Sequence, residues 1–139
     1  MGDATVVDFA TLDRMVRNAP FHAWLGVSLK SVSDEGVEIA LPWREEFVSD
    51  PNVRYTHGGI LAALIDLAGD YAVAARLGRG VPTIDMRVDY HRTALPGPLV
   101  AKARVIKMGG TLATAEAEIH DENGKLVASG RGVYLTLAR

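Results

Sequence analysis

From Ile60 to Ala75 the chain is apolar almost all the way round a helix, with only Asp66 and Asp70 charged between His57 and Arg76. So little polar face predicts a buried helix over residues 57–77. At ~1.5 Å per residue it spans on the order of 30 Å, the diameter of a small domain, so the rest of a short chain must wrap around it. Upstream, Phe9, Leu12, Met15 and Val16 recur at helical spacing between Asp8 and Asn18 and stop ahead of Pro20. They predict a short amphipathic helix on the outside. A further helical turn through Phe21, Trp24 and Leu25 ends at Gly26. Val27 to Val32, the turn Ser33-Asp34-Glu35-Gly36 and the alternating Val37, Ile39, Leu41 and Trp43 read as a hairpin. No period holds from Arg44 to Thr56, where Asp50-Pro51-Asn52 supplies loop residues leading into the helix.

After Gly78 and Gly80 the period changes to two. Ile84, Met86, Val88 and Tyr90 alternate with Asp85, Arg87, Asp89 and His91, a strand with one apolar face. Leu95-Pro96-Gly97-Pro98 turns the chain into a strand from Leu99 to Lys107, and Met108-Gly109-Gly110-Thr111 turns it again into Leu112 to His120. Asn123-Gly124 is a strong hairpin signal before a last strand from Leu126 to Leu137. The facing of that strand stays open, because Gly130 and Gly132 signal a bulge or a close backbone approach. Consecutive strands of this kind are expected to pair antiparallel. Ala101, Ala103, Ala113, Ala115 and Ala117 leave room for a helix close to the sheet. The expected fold is α+β, one curved antiparallel sheet wrapped around the long central helix. Residues 1–26 form a helical segment of the same domain and 27–139 its main body.

Composition narrows the chemistry. A formal net charge of −2 provides no basic field for nucleic acid or an anionic membrane. The absence of cysteine excludes disulfides, thiolate nucleophiles and Cys-ligated zinc. His22, His57, His91 and His120 are scattered without metal-ligand spacing, so no metal is expected. The first residues carry acidic side chains early and no uninterrupted apolar run, which does not read as a signal peptide. Asp66 and Asp70 also interrupt the central helix too soon for a membrane span, so a cytoplasmic protein is expected.

A carboxylate amid a buried helix costs several kcal/mol unless it is paired, hydrated or protonated, and that cost marks Asp66 as a candidate functional group. His57-Gly58-Gly59 opening the helix, Asp66 nine positions after the His, the strand Thr83-Ile84-Asp85-Met86-Arg87-Val88-Asp89-Tyr90 and the final Gly130-Arg131-Gly132-Val133-Tyr134 complete a pattern. From residue 22 to the C-terminus it resembles the hotdog-fold acyl-CoA thioesterases, in the branch that includes phenylacetyl-CoA thioesterase. The resemblance implies that the Gly58 N–H receives the thioester carbonyl and that Asp66 acts as general base or nucleophile. It also implies an assisting hydroxyl at Thr83 and an orienting Asn in the preceding loop, a role that Asp50 or Asn52 would fill. His57 is either a catalytic acid or base or, as the bland alternative, a group that shapes the helix entry.

The chemistry suits those residue types. A helix N-terminus offers unpaired N–H groups and a favourable dipole to a developing oxyanion. Glycine at 58 and 59 clears the approach. Gly58 and Asp66, eight residues apart, are ~12 Å apart along one helix, so one thioester cannot meet both within one chain. If both act, a second antiparallel helix must supply one of them, which a two-fold dimer does. The resemblance likewise implies a homodimer, commonly pairing into a homotetramer. Coenzyme A would enter as part of the substrate, with no separate cofactor, and its phosphates would meet Arg92, Lys107 or Arg131. Leu61, Ile65 and Met86 are the candidate lining for the acyl group. Two further readings share the fold: a hydratase or dehydratase of acyl thioesters, for which Asp66 lacks a His on its own helical face, and a weakly catalytic acyl-CoA-binding protein.

Overall fold

A computed structural model describes residues 6–137. Helix α1 (Phe9–Asn18) starts where the Asp8 carboxylate accepts the Thr11 N–H at 2.8 Å, and α2 (Pro20–Leu25) stops at Gly26 in the left-handed conformation. The hairpin β1 (Ser28–Ser33) and β2 (Gly36–Leu41) follows. Within the aperiodic segment, Glu45–Phe47 forms a single 3-10 turn, and the chain then enters α3 (Gly58–Leu77). The alternating half of the sequence supplies β3 (Thr83–Tyr90), β4 (Leu99–Met108), β5 (Leu112–Asp121) and β6 (Leu126–Leu135).

All six strands join one antiparallel sheet in the order β1-β2-β4-β5-β6-β3, wrapped around α3. This is the hotdog arrangement. The alanines of β4 and β5 are buried against α3, as their small size anticipates. On the other side α1 buries Leu12 and Val16, and the Tyr71 hydroxyl of α3 donates to the Met15 carbonyl at 3.1 Å. The start of the described chain is tied down too, by Val7 N–H donating to the Ala75 carbonyl at 2.7 Å. Residues 1–5 of the expected N-terminal segment lie outside the described residues.

One pairing differs from the expectation. β3 and β4 are consecutive but not neighbours: β4 lies between β2 and β5, while β3 lies at the far edge beside β6. Tight turns force β1-β2, β4-β5 and β5-β6 into hairpins, whereas residues 91–98, with Pro96 and Pro98, form a link long enough to cross the end of the sheet. That link is held by His91 and Arg92 N–H groups donating to the Val127 carbonyl and by the Ala94 carbonyl accepting Thr56 N–H. The open question about β6 resolves into both of its alternatives. The register shifts between Ile119 and His120, burying Val127 and Ala128 in succession. At Gly130 a Cβ would stand 2.5 Å from the Arg87 carbonyl oxygen and 2.7 Å from Ile65 Cγ2.

Candidate active site

The entry to α3 is built from backbone hydrogen bonds. Val48 bridges to Thr56, and the His57 N–H donates to the Phe47 carbonyl at 2.7 Å, so the loop delivers the chain to the helix at a set angle. His57 is the N-cap. Its Nδ1 accepts the Gly59 N–H at 2.8 Å, and its carbonyl accepts the N–H groups of Ile60 and Leu61. Of the orphan donors in this first turn, the Gly58 N–H is the one that nothing accepts among the described residues. It stands at the positive end of a 20-residue helix, where an oxyanion is favoured. A cleft of about 370 Å³ opens beside it, lined by Tyr55, Gly58, Leu61, Tyr90, Arg92 and Thr93 among others.

Tyr90 is a part of this end that its place in the alternating pattern did not reveal. Its hydroxyl donates to the Gly58 carbonyl at 2.9 Å, fixing the glycine from the sheet side. The ring is nevertheless 55 % exposed beside the cleft. Only its position at the open end of an apolar strand face hinted at a role.

Two turns along the same helix, Asp66 is half-buried, and the Thr83 hydroxyl at the start of β3 donates to Asp66 Oδ1 at 2.6 Å. This contact joins two candidate residues, Asp66 marked by its place in the helix and Thr83 implied by the family resemblance. The buried Tyr134 hydroxyl donates to the Asp66 main-chain carbonyl at 3.1 Å. One turn further, Asp70 accepts the Val81 N–H at 3.1 Å. Desolvation pushes its carboxyl up to about 7, reinforced by the neighbouring Asp66 charge and opposed by the Val81 hydrogen bond.

The remaining candidates divide by place. Asp50 Oδ1 accepts the Asn52 N–H at 2.8 Å, so these two form one turn in the loop before His57, with Asn52 exposed. Leu61 and Ile65 are buried on α3, and Met86 is half-buried on β3. Of the three cations, Arg92 lines the cleft at Gly58. Lys107 lies opposite Thr114 near the end of β4, and Arg131 is on β6 with its guanidinium 3.8 Å from Glu116, a carboxylate that also pairs with Arg104. Within one protomer the structure therefore brings Arg92 to Gly58 and leaves the other two elsewhere.

A family model described as "Thioesterase superfamily" matches residues 54–128, more than half of the chain and a span that includes His57, Gly58, Asp66, Thr83 and Arg92. The chain belongs to the thioesterase superfamily. An X-ray structure of another protein from this superfamily is 51% identical, covering 91% of this chain and 96% of that one with a TM-score of 0.90. The medium/long-chain acyl-CoA thioesterase YigI of Escherichia coli strain K12 is 27% identical over 138 residues, 88% of this chain and 89% of YigI. A phenylacetic acid degradation-related protein from Ralstonia eutropha JMP134 is 25% identical, with a TM-score of 0.79 over 90% of this chain and 98% of that one. The thioesterase thus combines the hotdog fold with thioester hydrolysis as its reaction class, in line with the branch the motifs resemble.

Proposed function

We propose that this thioesterase hydrolyses an acyl-CoA with a small aromatic or aliphatic acyl group at two equivalent sites of a homodimer. Each site takes Asp66 from one protomer and the Gly58 end of α3 from the other. The observation that carries this reading is the separation of two prepared groups, an unclaimed N–H at Gly58 and a hydroxyl-assisted carboxylate at Asp66, by ~12 Å of one helix. An antiparallel partner helix brings the two ends together, and β3 favours such a partner. It is an edge strand whose Ile84 is 55 % exposed. The name of the relative YigI supports acyl-CoA as the substrate class.

In this reading the thioester carbonyl accepts the Gly58 N–H. Asp66, held by Thr83, removes a proton from water as the oxygen attacks the carbonyl carbon. The tetrahedral intermediate collapses, the C–S bond breaks, and the proton passes from Asp66 to the departing thiolate. Direct attack by Asp66 instead breaks the C–S bond as a mixed anhydride forms and the thiolate leaves; water then opens the anhydride to the free acid and the Asp66 carboxyl group, and a proton released there converts the thiolate to thiol. Asp50 or Asn52 orients the water, His57 shapes the entry by holding Gly59, and Gly59 keeps the approach clear. Leu61, Ile65 and Met86 face the acyl group, while Arg92 at the cleft meets a phosphate of CoA, with Lys107 and Arg131 as the other candidate cations. Water is the co-substrate and no further cofactor is invoked. Pairing of dimers into a tetramer and a cytoplasmic location complete the reading. Among the described residues no helix is long and apolar enough to cross a membrane.

The test is hydrolysis of a panel of aromatic and aliphatic acyl-CoAs, followed by free-thiol release, for wild type and Asp66→Asn. The variant keeps size and removes the base, and its rate is expected to fall about 10²-fold or more. A wild type that binds acyl-CoA yet is silent across the panel would replace hydrolysis of these substrates by binding.

A further inference from the structure

We infer that Asp70 is a positioning residue for the reaction, holding the α3–β3 connection so that Thr83 meets Asp66. The inference rests on the reading of Asp66 as the reacting carboxylate and adds a residue that neither the motifs nor the relatives assign. Asp66 and Asp70 are successive turns of one helix face, and both carboxylates grip the same short connection. Thr83 Oγ1 donates to Asp66 Oδ1 at 2.6 Å, and two residues earlier Val81 N–H donates to Asp70 Oδ1 at 3.1 Å.

The sheet by itself holds Thr83 loosely. Its pairing with Tyr134 is separated by a register shift from the regular ladder that begins at Asp85 and Val133. What fixes the connection are the Asp70 bond to Val81, the burial of Val81 against Val73 and Tyr134, and the Pro82 carbonyl accepting Leu135 N–H at 2.9 Å. Losing the Asp70 bond therefore removes one of three anchors of the segment that carries the assisting hydroxyl and loosens it.

The groups facing Asp70 make this grip sensitive to pH. From α3 come the Asp66 carboxylate and Tyr71, from β6 the Tyr134 hydroxyl, and from the connection the Val81 N–H. The cation of the connection, Arg79, is committed to the Thr136 carbonyl at 2.6 Å. Burial accordingly brings Asp70 up to about 7. Ionised, it accepts a charge-assisted bond from Val81 and places negative charge one turn from Asp66; protonated, it is a weaker acceptor. The stronger grip on Val81 makes the Asp66-dependent step faster as pH rises through neutrality.

The experiment compares wild type, Asp70→Ala, Asp70→Asn and Asp66→Asn in steady-state acyl-CoA hydrolysis from pH 5.5 to 9, on the best substrate of the panel. Asp70→Ala is expected to lower kcat about tenfold at pH 8 with KM changed less than about twofold. Asp70→Asn keeps an oxygen for Val81 but carries no charge, so its kcat at pH 8 is expected to lie between those of Asp70→Ala and wild type, near the wild type's low-pH level, with the limb of the profile near pH 7 removed. Wild-type kcat and profile in Asp70→Ala, beside an inactive Asp66→Asn, would overturn the inference and leave the role of Asp66 standing. Should Asp70→Ala fail to fold, persistence of the limb in Asp70→Asn overturns it instead. An unimpaired Asp66→Asn would remove the reading of Asp66 itself, and the inference with it.

Discussion

The hydroxyl of Tyr134 reaches the Asp66 carbonyl only because two glycines make way for it. A Cβ at Gly69 would stand 2.3 Å from that oxygen, and one at Gly132 would stand 2.5 Å from it. Burial raises the phenol's pKa, so it stays a donor. Gly69→Ala should gain about 1 kcal/mol of helix propensity but lose more to overpacking. The expected net loss is on the order of 1–2 kcal/mol, measurable by urea unfolding. Adding Tyr134→Phe removes the struck oxygen and should recover part of the loss, a coupling that a double-mutant cycle reads directly. Gly130 and Gly132 stood out in the sequence because glycine interrupts a strand. Gly69 did not, since its partner lies far along the chain.

At the scale of the element, α3 carries the candidate site, with a proposed oxyanion donor in its first turn and carboxylates in its middle. Gly58 is its first residue, a position where proline is tolerated, and His57 before it has φ −57 and ψ 136, which a following proline also permits. Gly58→Pro thus removes the proposed oxyanion donor with little cost to the helix, and kcat is expected to fall about 10²–10³-fold in the thiol-release assay. Further along the helix, burial of Asp70 has a consequence for stability. Its folded value of about 7 lies above the ordinary aspartate value, so the protonated form favours the fold. That contribution is complete below about 4, declines as pH rises to about 7, and is absent above. Asp70→Asn, which never ionises, is expected to be more stable than wild type at pH 8, by an upper bound of about 4 kcal/mol. The gap should close toward pH 4 in thermal melts.

At the scale of the whole molecule, the proposal that one site uses two chains has its own test. In a mixed dimer of Asp66→Asn and Gly58→Pro chains, one site carries both defects and the other carries neither. Random mixing of the two inactive variants by unfolding and refolding together should therefore return about a quarter of wild-type activity. Sites built within single chains would return none.

Most of the elements were legible in the sequence by itself, because periodicity, capping and turn chemistry act over a few residues. The apolar circumference of 60–75, the strict alternation of 84–90 and the alanines of β4 and β5 determined a buried helix under a closely packed sheet. His57-Gly58-Gly59 and Asp66, with their spacing, marked the candidate site and suggested the proposal that two chains share it. Only the tertiary structure decided that β3 pairs with β6, that Thr83 meets Asp66, that Tyr90 clasps Gly58, and which of three cations lines the cleft. Each of these joins residues separated by a long stretch of chain, and no local period encodes such a meeting. It is set by how the link at 91–98 crosses the sheet and how closely the helix packs beneath it.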